Sequence, residues 1–178
     1  GGPMNTVFIA DDELIIRQGI KCIIDWEQLG FEIIGEASNG EDALNFILNK
    51  QPDLVLMDIR MPKMLGLDVV EAARNKGFNG KVIILSGYTD FKYAQAAIKN
   101  GVDYYLTKPI DEDELYETVD SIRSQISKEA EDKETLSTYR DKAKNMILFD
   151  ILTGTSTINN IDDMNIRSEE RRVGKECR

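Results

Sequence analysis

Asp53-Leu54-Val55-Leu56-Met57-Asp58-Ile59-Arg60-Met61-Pro62 is the stretch that decides the fold. Leu54 to Met57 form an unbroken apolar run, too short for a helix and bounded by breakers. Such a run reads as a central parallel strand covered by helices on both faces. It ends on a carboxylate, Asp58, and the chain then turns toward Pro62 and Gly66. In an open α/β sheet the carboxyl ends of the strands border the ligand crevice. An acid there is a candidate nucleophile or metal ligand, or merely a turn former. Its neighbours decide between these.

On the amino-terminal side, Thr6 to Ala10 is a buried strand running directly into Asp11-Asp12-Glu13. A helix follows from about Glu13 to Trp26, with Ile16, Ile20, Ile23 and Ile24 at helical spacing. Phe31 to Ala37 mixes polar and apolar positions, as an edge strand does. Asn39-Gly40 leads into a helix that ends before Pro52. On the carboxyl side, Leu67 to Lys76 is a helix closed by Gly77, and Lys81 to Ser86 a fourth strand. Asp90 to Asn100 is a helix closed by Gly101; Val102 to Leu106 is a fifth strand, and another helix starts near Asp111. Five alternations of strand and helix predict a five-stranded, doubly wound parallel sheet of the flavodoxin-like α/β class, with strand order 2-1-3-4-5.

Composition excludes several classes. The 178 residues contain no histidine, so Ser-His-Asp or Cys-His catalysis and histidine-ligated metals are out. A net charge of −10 argues against a direct grip on nucleic acid phosphates. No apolar run approaches the ~18 residues of a membrane span. Cys22 and Cys177 cannot build a disulfide framework, which points to a reducing, cytoplasmic setting. Cys22, inside a helical apolar pattern, reads as a core thiol.

From Asp111 to about Leu152 there is neither proline nor glycine. Leu115, Val119, Ile122 and Ile126 repeat at heptad spacing; the frame then passes through Glu129 and Lys133 before Leu136, Arg140, Ala143 and Ile147. The first three turns are expected to pack on the sheet. The remainder is expected to pair with a second chain, giving a homodimer through the helical extension. The resulting division is a domain over 4–127, a helical linker over 128–166, and foreign tails at 1–3 and about 167–178.

Strand ends carry the chemistry. Asp11, Asp12 and Asp58 come from adjacent strands in this order, and three clustered carboxylates call for a hard cation such as Mg²⁺. Lys108 approaches from the far side as an anion receptor, with the Ser86 hydroxyl between. Individually, Lys108 reads as a surface lysine, Tyr105 as a half-buried strand residue and Ser86 as a helix cap. Tyr88, Phe91 and Tyr93 read as packing residues.

Taken together, Asp11-Asp12-Glu13, Leu56 to Pro62, Ser86-Gly87 and Lys108-Pro109 resemble the receiver domain of two-component response regulators, over about residues 4 to 127. The resemblance implies that Asp58 accepts a phosphoryl group from a sensor histidine kinase. It implies that Asp12, Asp58 and the backbone carbonyl of Arg60 ligate Mg²⁺, with Asp11 acting through water. Ser86 would bond a phosphoryl oxygen, Lys108 would pair with the phosphate, and Tyr105 would be the aromatic switch. Lys108-Pro109 would be a cis peptide. The side chain of Arg60 would shield the acyl phosphate from water. Such a protein catalyses only its own phosphoryl transfer and dephosphorylation. Phe149 to Gly154 resembles the linker of regulators with an AraC-type DNA-binding domain, so DNA would be reached only through an output domain that this sequence lacks. Alternatives are an aspartate-nucleophile phosphatase, which usually has an acid where Arg60 stands, a flavodoxin-like carrier without its phosphate loop, and a phosphate-silent dimerisation scaffold.

Overall fold

The computed structural model describes residues 2–87, 97, 99 and 101–154. Five parallel strands, β1 (Asn5–Ala10), β2 (Phe31–Ala37), β3 (Leu54–Asp58), β4 (Lys81–Ser86) and β5 (Tyr104–Thr107), form one sheet in the order β2-β1-β3-β4-β5. The described helices are α1 (Leu14–Ile23), α2 (Gly40–Lys50), α3 (Gly66–Asn75) and α4 (Glu112–Thr153). The helix expected over 90–100 lies outside the described residues apart from Ala97 and Lys99. The doubly wound order expected from the sequence is the one observed.

The period of two along β3 separates two cores. Leu54 and Leu56 join Val7, Ile9, Ile20, Trp26, Leu115, Val119 and Ile122 on the face covered by α1 and the start of α4. Val55 and Met57 join Phe8, Ala43, Ile47, Val69 and Val70 on the face covered by α2 and α3. Each Val, Leu, Ile, Phe or Met side chain so withdrawn from water contributes about 1.5–3 kcal/mol. β3 is fully buried because both faces are covered.

Local chemistry sets the element ends. Asn39 caps α2 by accepting from the Asp42 amide at 2.9 Å. α1 stops at Ile23, three residues before the expected end, and the Trp26 indole turns back to donate to the Ile20 carbonyl at 2.9 Å. β5 starts two residues later than expected, because Asp103 works as a connector. Its amide donates to Val82 O at 3.0 Å, and its carboxylate accepts from the Val82 amide at 2.8 Å. Cys22 is exposed, not a core thiol. It sits two residues beyond buried Ile20, about 200° round the helix, on the side away from the sheet.

The chain divides into two compact units, Gly1–Ile126 and Ser127–Arg178. In the first, Leu115, Thr118, Val119 and Ile122 of α4 are buried. In the second, every residue from Ser127 to Phe149 is exposed, including Leu136, Tyr139, Met146, Ile147 and Phe149. The expected tail at 167–178 and the end of the linker lie outside the described residues.

Candidate functional site

The register brings four strand ends level. Ala10 pairs with Met57, Asp58 with Leu85, and Ser86 with Thr107. Asp11 follows β1, Asp58 closes β3, Ser86 closes β4 and Lys108 follows β5. One side chain from each therefore reaches the same carboxyl edge, where such sheets place their ligands.

Asp11 and Ser86 are fully buried and Asp58 nearly so, whereas Asp12 and Glu13 are exposed. Lys108 Nζ lies 2.7 Å from Asp11 Oδ2 and 3.3 Å from Asp58 Oδ1. The ammonium thus joins acids from two strands, a pairing not expected from the sequence, where Lys108 serves the phosphate. Burial alone would lower its pKa, but the hydrogen bond to Asp11 and the charges of Asp58 and Asp11 leave it above the ordinary lysine value. Asp58 is pushed up to about 6, first by burial and then by the charge of Asp11, with Lys108 opposing and Asp12 adding to the rise.

The oxygens of Asp11, Asp12 and Glu13 all lie within 4.8 Å of one another. This all-oxygen set fits a hard divalent cation. Asp58 is not one of these three, and Glu13 was not among the ligands expected from the sequence, although it is adjacent to them in the chain. The Ser86 hydroxyl donates to the Tyr105 hydroxyl, which joins the two residues assigned to the switch. The Lys108-Pro109 bond is cis. Arg60 is exposed in the loop that follows Asp58.

That loop is fastened at both ends by glycine. A Cβ on Gly66 would stand 2.0 Å from the Asp58 carbonyl oxygen, and one on Gly40 would stand 2.2 Å from Met64 O. The Gly66 amide donates to Ile59 O at 2.8 Å, and that of Gly40 to Pro62 O at 3.1 Å. From sequence Gly66 read only as a turn residue; its close approach depends on the packing of α3. Gly66→Ala is expected to cost about 3 kcal/mol or more, beyond ordinary overpacking, because backbone must move. Urea unfolding followed through Trp26, the only tryptophan, measures this; a loss below about 1 kcal/mol would show that the loop yields.

A pH dependence also follows. Between the ordinary aspartate value of about 3.9 and the value of about 6 in the fold, folded Asp58 keeps a proton that the unfolded chain has released. Stability therefore falls as pH rises through this window, and above it ionised Asp58 costs about 3 kcal/mol. In chelator, Asp58→Asn should be more stable than the parent at pH 7.5 by up to that amount, with the gap closing toward pH 4. Equal urea midpoints at both pH values would refute it.

A doubly wound sheet with paired acids after its first strand, an acid closing its third and a lysine after its fifth defines a receiver-type module. Residues 7–120 match the family model described as the response regulator receiver domain, and the chain belongs to that family. It is similar to the uncharacterized transcriptional regulatory protein YesN of Bacillus subtilis (strain 168), 38% identical over 126 residues, which are 71% of this chain and 34% of that protein. Its fold matches the REC domain of AraT, a response regulator from Geobacillus stearothermophilus, at TM-score 0.68 and 42% identity, covering 71% of this chain and 98% of that one. It also matches a two component transcriptional regulator AraC from Clostridium phytofermentans ISDg at TM-score 0.64 and 33% identity, covering 70% and 96%. The chain spans between a third and a half of the length of the curated relatives it matches. No helix among the described residues is long and apolar enough to cross a membrane.

Proposed function

We propose that this chain is the phosphoryl-accepting part of a transcriptional regulator, charged at Asp58 by a sensor histidine kinase in the cytoplasm. The observation that carries this is the nearly buried Asp58 at the end of β3, in ionic contact with Lys108. A carboxylate with a pKa near 6 is largely ionised at neutral pH and available as a nucleophile. One Asp58 oxygen attacks phosphorus, the nitrogen–phosphorus bond of a phosphohistidine breaks, and the histidine nitrogen leaves with the bonding pair and takes up a proton. Lys108 then pairs with the added negative charge. Asp12, Asp58 and the Arg60 carbonyl would hold Mg²⁺, with Asp11 acting through water. When bound, the ion supplies positive charge to the phosphoryl oxygens.

The donor is read as a protein because an apolar groove of about 420 Å³ borders Lys108, lined by Ile15, Ile16, Ile20, Ile23, Pro109 and Ile110. Ile15 is 80% exposed at its rim, so the groove presents a contiguous apolar surface to a partner. For output, the Ser86–Tyr105 bond is the element that the phosphoryl group competes with. Its oxygens draw the Ser86 hydroxyl away, and Tyr105 is released to repack. The chain catalyses only its own transfer and hydrolysis.

Incubation of the intact chain with acetyl phosphate and Mg²⁺ is expected to add one phosphoryl group, and chelator to prevent it. No mass increase under either condition would overturn the reading. Arg60→Ala is expected to shorten the lifetime of the phosphorylated state; an unchanged decay rate would remove Arg60 as the shield.

A further inference from the structure

α1 begins without the usual fastening. Its cap residue, Glu13, makes no side-chain cap bond, and its first turn carries no acid. Yet the turn before it must hold Asp11, Asp12 and Glu13 together against their mutual repulsion. Asp11 is gripped at each polar group. Its amide donates to Ala37 O at 3.1 Å, and Oδ1 accepts from the Glu13 amide at 2.9 Å. Oδ2 accepts from Lys108 at 2.7 Å, and the backbone carbonyl accepts from Arg17 Nη1 at 2.5 Å.

Arg17 reaches back six residues to make that last bond. Its side chain is only 11% exposed, and its Nε lies 3.5 Å from Glu36 Oε1 on β2. That Nε is buried and forms no hydrogen bond, so the ion pair is its compensation. Glu36 is shared with Lys21 one turn further along α1. A single planar guanidinium thus ties the end of β1, the first turns of α1 and the edge strand β2. A lysine could not fork in this way.

We propose that Arg17 is the positioning residue of the acid turn: by fixing the Asp11 carbonyl against Glu36, it holds the three carboxylates together and sets the affinity for the divalent cation. It touches neither Asp58 nor Lys108 in any contact described above, so the phosphoryl chemistry itself does not pass through it. This rests on the receiver reading, in which Asp12 holds the metal and Asp11 acts on it through water; Glu13 is the third acid of the turn.

Arg17→Met keeps the buried stem of the side chain and removes every donor. In the full chain it is expected to weaken Mg²⁺ binding about tenfold by calorimetric titration, the scale of losing an outer-shell partner of a metal ligand. The rate of phosphorylation by acetyl phosphate at saturating Mg²⁺ should stay at the parent level, while the half-saturating Mg²⁺ concentration rises by the same factor. Glu36→Gln, which leaves the guanidinium but removes its ion pair, should shift binding in the same direction by less and serves as the readout if Arg17→Met does not fold. Parent-like Mg²⁺ binding in Arg17→Met, or in Glu36→Gln where Arg17→Met does not fold, overturns the inference. So does a lost saturating rate at unchanged Mg²⁺ affinity. If the parent chain itself binds no Mg²⁺, the inference falls together with the Mg²⁺-dependent reading of the site on which it rests.

Discussion

Asp58→Asn is expected to abolish phosphoryl incorporation from acetyl phosphate, leaving no mass increase where the parent gains one group. The substitution keeps size and shape but exchanges the carboxylate for a neutral amide, which is no nucleophile at neutral pH. Of the acids at this edge, Asp58 alone closes a strand at the centre of the sheet and is both nearly buried and in contact with Lys108. Asp11 is more buried still, but its two oxygens are taken by the Glu13 amide and by Lys108. Asp12 and Glu13 are exposed and belong to the oxygen cluster. Labelling of Asp58→Asn at the parent level would move the acceptor to one of those acids. Because the variant removes a costly buried charge, it should be at least as stable as the parent, so the loss cannot be put down to unfolding.

A second large effect is expected in association. Over Ser127–Thr153 the helix presents Leu136, Tyr139, Met146, Ile147, Leu148, Phe149, Ile151 and Leu152, each more than half exposed. A helix this apolar toward its end is poorly placed in water unless something covers it. Leu136, Ala143 and Ile147 stand in one heptad frame, which favours the same stripe of a second copy, with Glu129 and Lys133 as a weaker stretch ahead of it. Withdrawing each Leu or Ile from water contributes about 1.5–3 kcal/mol in each copy, so Leu136→Asp combined with Ile147→Asp should weaken pairing by on the order of 10³-fold or more. Sedimentation of both chains across a concentration series measures this. Equal association would show that the extension is only a tether.

The sequence displayed some of this plainly. Asp11, Asp58 and Ser86 each end an apolar run, and a run of that kind marks both a strand and its exit, so element and site residue were read together. β5 was set two residues early because Val102 and Asp103 continue an apolar-polar alternation. What makes Asp103 a connector is its bond to Val82, 21 positions away. Cys22 stands among Ile20, Ile23 and Ile24 in the chain, yet its angle on the helix is not that of Ile20, so it is exposed. Lys108 and Asp11 lie 97 positions apart, and nothing local tells a lysine after a strand that it already pairs with the protein's own carboxylate as well as serving an incoming phosphate. Arg17 gave no signal at all: an arginine on an amphipathic helix reads as a solvated face until the carbonyl it reaches is visible.

The glycines at 40 and 66 give the stretch between Asp58 and α3 the character of a fixed-length cassette. Its two anchors tolerate no side chain, so an inserted or deleted residue would be felt at the Asp58 carbonyl itself. Arg60, exposed between the anchors, can be exchanged without moving the frame, whereas Met61 is part of the core and Lys63 holds a left-handed backbone at φ 71°. A change to this loop is therefore best confined to the side chain at position 60, with the number of residues left alone.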